Sequence, residues 1–348
     1  MLSRARWLRI HRALGLGIAA FLLIQAVTGA LLLYAGPVAR MIDPAGMTSR
    51  AQGPPISTGE AIERADRAVP GYRVVRVFAP DGDGATWFAH LRDDQGRTAY
   101  ASIDPAGGAV RRAGGLFRFP VEAALQIHYA LTMGRAGMLV VALNGLALLT
   151  MAATGLAYWW PKRKPAKALA IRWTLAPRLV LRQAHRTLGV VAAAFLIILA
   201  STGLLLVVPD IATGGGSPAP LAAVAAGAVD RSIARAQGVF PGNRLRDARI
   251  DGERLIINFR APERNARAVH IVVVTVGGAR IVGATAADRS TALWMTVLPI
   301  HAGNVLDPIG PALLLLVALA LASLAVTGPI MWWHAEGQRR RSVRKVSQ

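Results

Sequence analysis

His11-Arg12-Ala13-Leu14-Gly15 and His185-Arg186-Thr187-Leu188-Gly189 open two stretches that run on to Thr28-Gly29 and Thr202-Gly203, 17 residues after each histidine. A second pair repeats on a different spacing. His128 precedes Gly137, Thr154-Gly155 and Trp159-Trp160 by 9, 26 and 31 residues, and His301 precedes Gly310, Thr327-Gly328 and Trp332-Trp333 by the same intervals. The chain is thus a duplication offset by about 174 residues, and four of its seven histidines hold equivalent positions.

Around these motifs the chain is apolar, with 53% hydrophobic residues. Four uncharged runs, Ala13 to Tyr34, Ala136 to Trp160, Leu188 to Val208 and Ile309 to Trp333, each reach the roughly 20 residues that a helix needs to span a bilayer core. Backbone groups inside lipid must pair with one another, so these runs predict helices. The first has basic flanks like a signal sequence, but Leu31-Leu32-Leu33-Tyr34 offers no small-residue cleavage site, so an uncleaved anchor is expected.

Charge predicts the orientation. Arg4, Arg6, Arg9 and Arg12 precede the first span; Lys162, Arg163, Lys164, Lys167, Arg172, Arg178, Arg182 and Arg186 fill the middle loop; Arg339, Arg340, Arg341, Arg344 and Lys345 follow the last span. Against these seventeen stands one acid, Glu336. Short basic loops stay in the cytoplasm, so both termini and the middle loop are expected inside, and two long segments outside. The excess of +21 therefore reads as topology, and no nucleic-acid partner is expected. Without cysteine the chain has no cysteine-ligated cluster, c-type haem attachment or disulfide.

The expected organisation is an N-terminus and first span at 1–35, an outer module at 36–120, a histidine segment and second span at 121–160 and a basic loop at 161–186. The third span at 187–208, a second module at 209–295, a histidine segment and fourth span at 296–334 and a basic tail at 335–348 complete it. Ile56 to Ile62 carries a Ser/Thr start followed by an acid, the pattern of a capped helix ending at Pro70-Gly71. Strands are predicted at Arg73 to Phe78, Thr86 to Leu91 and Thr98 to Ile103, the last meeting the turn Asp104-Pro105-Ala106-Gly107-Gly108. In the second segment Ala222 to Ala236 reads as helix, with strands at Arg254 to Phe259 and Val269 to Val276; Gly214-Gly215-Gly216-Ser217-Pro218 reads as a flexible link.

The His-Arg-x-Leu-Gly openings, Thr-Gly ends, Asp-Pro-x-Gly-Gly turn and Trp-Trp exits resemble the PepSY-associated transmembrane proteins, a bacterial inner-membrane family that includes iron-regulated proteins and reductases of ferric siderophores. The resemblance covers nearly the whole chain, although Thr275-Val276-Gly277-Gly278 replaces the Asp-Pro turn in the second module. It implies an α-helical integral membrane protein of four transmembrane helices with periplasmic PepSY modules and, in the reductase branch, two b-type haems held by histidines.

Residue chemistry leads to a similar expectation. Both halves start inside, so the repeats are parallel; His11 and His185 then share one depth, and His128 and His301 another. Two neutral imidazoles on one iron suit electron transfer, so haem iron is expected on His11, His185, His128 and His301. From His11 to Gly29 is five helical turns, which puts both on one face, where glycines leave room for a porphyrin or for close helix packing. His334 has no counterpart and is either interfacial or an alternative inner ligand; His90 and His270 read as surface or strand residues, and the Trp-Trp pairs as an aromatic belt.

Zinc would need three or four convergent ligands, and no two histidines stand three to five apart. A transporter usually needs ionisable residues in its spans, which offer only the amides Gln25 and Asn144. No phosphate-binding or dinucleotide fingerprint is present. The expectation is a di-haem b protein in the bacterial inner membrane, taking electrons from a quinol or a cytoplasmic reductase to a ferric siderophore or other ferric chelate. A non-enzymatic scaffold whose modules restrain a periplasmic partner is the alternative, and an iron-complex permease a third.

Overall fold

A computed structural model describes residues 3–49, 52–160, 168–213, 225–276 and 280–346, with side chains through 337. The basic residues Lys162, Arg163, Lys164 and Lys167, the glycine-rich link at 214–218, the turn glycines at 277–278 and the side chains of the basic tail lie outside the described residues. The chain divides into two compact units. One holds residues 1–33, 124–214 and 300–348, the other 34–123 and 215–299.

The first unit is a bundle of long helices, α1 (Arg4–Leu33), α6 (Gly134–Trp159), α7 (Pro177–Ala212) and α10 (Ile309–Val346). Each contains a segment long and apolar enough to cross a membrane. Helix α1 packs against α6 and α10, and α7 packs against the same two. The seam between them is built from Leu22, Ala26, Ala192, Leu196, Val317, Ala320, Leu321 and Ala325. Half of these are alanines, which let helix backbones approach where lipid removes the hydrophobic drive for association. Large apolar side chains such as Leu143, Val191 and Leu316 point outward and are exposed, as expected of a lipid-facing surface.

Two short helices, α5 (Pro120–Ala130) and α9 (Leu293–His301), lead into α6 and α10. Each corner closes on a glycine. A Cβ at Gly137 would sit 1.7 Å from the Ala130 carbonyl oxygen, and one at Gly310 would sit 1.9 Å from that of Gly303. This close approach accounts for the glycine nine residues after each histidine. Leu131 and Thr132 take left-handed conformations in the first corner, with φ of 48° and 59°, a strained choice for side chains of their size.

In the second unit α2 (Ala35–Ile42) and α3 (Pro44–Met47) precede α4 (Thr58–Ala68) and strands β1 (Arg73–Phe78), β2 (Trp87–Arg92), β3 (Thr98–Ile103) and β4 (Val110–Gly114). The later segment supplies α8 (Ala226–Gln237), β5 (Leu245–Asp251), β6 (Arg254–Arg260), β7 (Val269–Thr275) and β8 (Ile281–Thr285). Ser57 and Glu60 form the reciprocal capping box expected at the start of α4. In the Asp104 turn, Gly107 and Gly108 adopt φ of 78° and 73°, and the buried Asp104 carboxylate accepts from Ser49 Oγ and the Ala106 amide.

The two segments do not form separate sheets, as two independent modules would. They share one antiparallel sheet in the order β4-β3-β2-β1-β5-β6-β7-β8. Strand β1 joins β5 through Arg76 opposite Arg249, Val77 opposite Ala248 and Phe78 opposite Asp247. Each four-stranded piece would otherwise expose this edge, and pairing the edges removes an aggregation-prone template. One face, from Val74, Val77, Leu91, Ile103, Ile250, Leu255, Ile257 and Val272, packs with α4 and α8 into a single core. Those helices meet where a Cβ on Gly59 would collide with the Ala226 carbonyl, and Asp230 accepts from the Gly59 amide at 2.8 Å.

Gly137→Ala and Gly310→Ala should each lower the thermal midpoint of the detergent-solubilised chain by several degrees or prevent recovery of folded protein, since the added carbon meets backbone. Gly17→Ala, with open space around its Cα, should leave the midpoint unchanged or slightly raised.

Candidate functional site

Each of the four repeated histidines is seated on the Thr-Gly pair of another helix. His128, on α5, packs on α1, with Nδ1 3.0 Å from Thr28 Oγ1. A Cβ on Gly29 would approach the His128 Cε1 to 3.0 Å. His301, at the end of α9, packs on α7, with Nδ1 2.9 Å from Thr202 Oγ1 and Cε1 over Gly203. His185, on α7, places Nδ1 2.7 Å from Thr327 Oγ1 on α10, beside Gly328. His11, on α1, packs on α6 over Gly155, with Nδ1 3.0 Å from the Met151 carbonyl oxygen and 3.4 Å from Thr154 Oγ1.

These seats revise the role expected of the glycines. Gly29 does not clear space for a group held by His11 on the same helix; it makes room for the imidazole of His128. Thr28, Thr154 and Thr202 are buried, Thr154 to 2% exposure, and Thr327 is half-buried; each receives one ring nitrogen. The opposite ring edge is thereby directed away from the supporting helix.

Four rings in two pairs result. The ring centres of His128 and His301 lie 6.3 Å apart with planes inclined at 58°, so the rings are not stacked on one another. Imidazole nitrogen binds a first-row metal at about 2.0–2.1 Å, and with roughly 1.2 Å from nitrogen to ring centre, two ligands on opposite sides of one ion stand ~6.4 Å apart. The observed spacing fits a single ion between the rings. At the other end of the bundle His11 on α1 and His185 on α7 sit on their own seats. The two levels are well separated, since the 17 residues from His11 to Thr28 on α1 amount to about 25 Å of helix. Among the described residues no three or more His, Cys, Asp or Glu side chains converge on a common point.

The profile of the PepSY-associated TM region matches residues 8–335, most of the chain and all four seats. The chain belongs to this family. No curated protein matches it. As a PepSY-associated protein with four candidate spans, it is a membrane protein.

The remaining histidines of this family member lie elsewhere. His334 is exposed on α10, about 10 Å along the helix beyond the Thr327 seat. His270 is a strand residue but not a surface one. It is buried on β7, stacks on Phe240 at 4.3 Å, accepts from the Ala287 amide and pairs with Glu263 at 2.9 Å. His90, on β2, is surrounded by Phe78, Phe88 and Tyr100 at 5.0–5.3 Å and faces Glu122 at 4.0 Å. Several arginines of the second unit are tied into the fold. Arg112 pairs with Asp43, Arg111 lies 3.9 Å from Asp104 and donates to the Thr48 carbonyl, and Arg118 donates to the Ala113 carbonyl. Trp160 and Trp333 are exposed at the ends of their spans, as an aromatic belt requires.

His90 gives the sheet a pH dependence. Burial, reinforced by the nearby Arg76 charge and opposed by Asp247, holds its pKa down to about 3 against an ordinary 6.5. The unfolded chain therefore binds the extra proton first, and stability is lost as pH falls from 6.5 toward 3. Between pH 6.5 and 5 the loss should be about 1–2 kcal/mol. Thermal melts of the detergent-solubilised chain at the two pH values should show it, and His90→Phe should flatten the difference.

Proposed function

We propose that the protein is a di-haem b electron carrier of the inner membrane that reduces a ferric chelate, of the ferric siderophore class, on the periplasmic side. The observation that carries this reading is the 6.3 Å spacing of the His128 and His301 rings, which suits a single metal ion that both imidazoles would hold. His128 and His301 would hold the outer haem, and His11 and His185 the inner. A b-type haem held by these imidazoles would supply reversible one-electron transfer.

The chain's own contribution is to orient and insulate. The four seats hold the rings on α1, α6, α7 and α10, whose equivalence supports the arrangement as two parallel two-helix repeats. Burial keeps His128 neutral, with its pKa pushed down to about 4, as a metal ligand must be. The ~25 Å between levels approaches the ~30 Å hydrocarbon thickness, so the two sites would serve opposite faces. The seventeen basic residues at the termini and middle loop favour those segments inside, which assigns His11 and His185 to the donor face for a quinol or a cytoplasmic reductase.

A ferric acceptor is supported by the resemblance to ferric siderophore reductases and by ligand chemistry. Siderophores offer hard oxygen ligands that favour ferric over ferrous iron, so a single electron releases the metal. The chelator leaves intact.

The chain reconstituted into liposomes enclosing a ferric hydroxamate and a ferrous-specific chromophore, with a quinol outside, should develop colour inside. His128→Ala and His301→Ala should each slow this at least ten-fold. Colour formation at the same rate with these variants, or none with the unaltered chain carrying haem, would exclude the assignment.

A further inference from the structure

The seats do more than hold the rings. Each seat threonine lies close to two groups at once. One is the Nδ1 of its histidine; the other is the carbonyl oxygen four residues earlier on its own helix. Thr28 reaches the Ile24 carbonyl at 2.7 Å, Thr154 that of Thr150 at 2.8 Å, Thr202 that of Ile198 at 2.7 Å and Thr327 that of Ser323 at 2.7 Å. A hydroxyl has one proton and two lone pairs. A carbonyl oxygen can only accept, so the threonine proton is committed to it, a common arrangement for threonine within a helix. The hydroxyl oxygen then faces Nδ1 as an acceptor, and Nδ1 must carry a hydrogen.

We infer that Thr202 and Thr327, with Thr28 acting beside a backbone carbonyl, are positioning residues that set the tautomer of His301, His185 and His128, protonating Nδ1 and leaving the lone pair on Nε2 for a metal. The assignment rests on the haem reading for its purpose but not for its chemistry. A neutral imidazole has two tautomers, and only the one with its lone pair on the outward nitrogen can ligate there. In the other tautomer the second nitrogen bears a hydrogen and has no lone pair to give a metal. The glycine beside each threonine is the second half of the device, because it lets the ring descend until Nδ1 is within reach of the hydroxyl.

The four seats are unequal, and the inequality yields an internal control. At His11 the Met151 carbonyl is nearer than the Thr154 hydroxyl, 3.0 Å against 3.4 Å. A carbonyl imposes the same tautomer by itself. The His128 ring likewise has a backbone hydrogen bond to Gln25 beside its threonine. Removing the Thr154 hydroxyl should therefore leave His11 unaffected and removing that of Thr28 should change His128 little, whereas removing that of Thr202 or Thr327 should release the corresponding ring.

The direct test is nitrogen NMR of the haem-free chain carrying ¹⁵N-histidine, in which the two tautomers have distinct ring-nitrogen shifts. The unaltered chain should show His11, His128, His185 and His301 protonated at Nδ1. Thr202→Val and Thr327→Val should move His301 and His185 respectively toward a mixture, Thr202→Ser and Thr327→Ser should restore the pattern, and Thr154→Val should leave His11 as it was. Nε2-protonated rings in the unaltered chain, or valine variants identical to it, would overturn the inference. With haem bound, Thr202→Val should lose the outer haem to apomyoglobin about 10–100-fold faster, and Thr202→Ser should not. Loss at the unaltered rate would also overturn it. An unaltered chain that shows the tautomers but takes up no haem would refute the electron-transfer reading and leave the threonine assignment standing.

Discussion

The contact on which the bundle's chemistry depends is that of an imidazole with a threonine hydroxyl and the adjacent glycine on a neighbouring helix. It recurs four times, joining α5 to α1, α1 to α6, α9 to α7 and α7 to α10. Every repeated spacing in the chain follows from it. The 17 residues from His11 to Thr28 set the separation of the two levels. The glycine nine residues after His128 closes the corner that brings that ring back against α1, and the threonine 26 residues after it receives His11 from the other end. A polar contact of this kind is costly to leave unmade in lipid, so it fixes helix register more firmly than the alanine and leucine seam alone.

Asymmetry within the fold is as informative as repetition. Both segments of the second unit supply a helix and four strands, yet the sheet is continuous. Its centre is the buried Asp247, which accepts from Arg76 at 2.8 Å and from Asn258 at 2.9 Å. A carboxylate so placed needs these donors, and one of them comes from β1 in the other segment. The paired edge and this ion pair make the two segments one folding unit despite the span between them in sequence.

Much of this was legible in the residues, and the gaps have physical causes. The strands Arg73–Phe78 and Thr98–Ile103 and the capped start of α4 are local signals of alternation and capping. Strand β4 was not legible because Val110-Arg-Arg-Ala-Gly carries no alternating apolar face. Strand β5 was obscured by Asp247, a charge at a buried position that only its partners on other strands explain. The helical spans were visible because bilayer thickness dictates their length. Equivalence of the four histidines was visible in the repeat. What each Thr-Gly pair does was not, since His11 and Thr154 are 143 residues apart and His128 and Thr28 are 100 apart. Read along one helix, these small residues suggest helix packing or room for a porphyrin; only the assembled bundle shows whose ring they receive.

The central claim is that paired imidazoles at the two ends of the bundle each hold one haem. It is tested most directly by the reduced-minus-oxidised absorption spectrum of the unaltered chain, purified after expression with ample haem supply and with haem quantified per polypeptide. The account predicts a b-type α band and two haems per chain, low-spin in both oxidation states. A colourless chain, or one haem bound without spectral signs of two imidazole ligands, would contradict it.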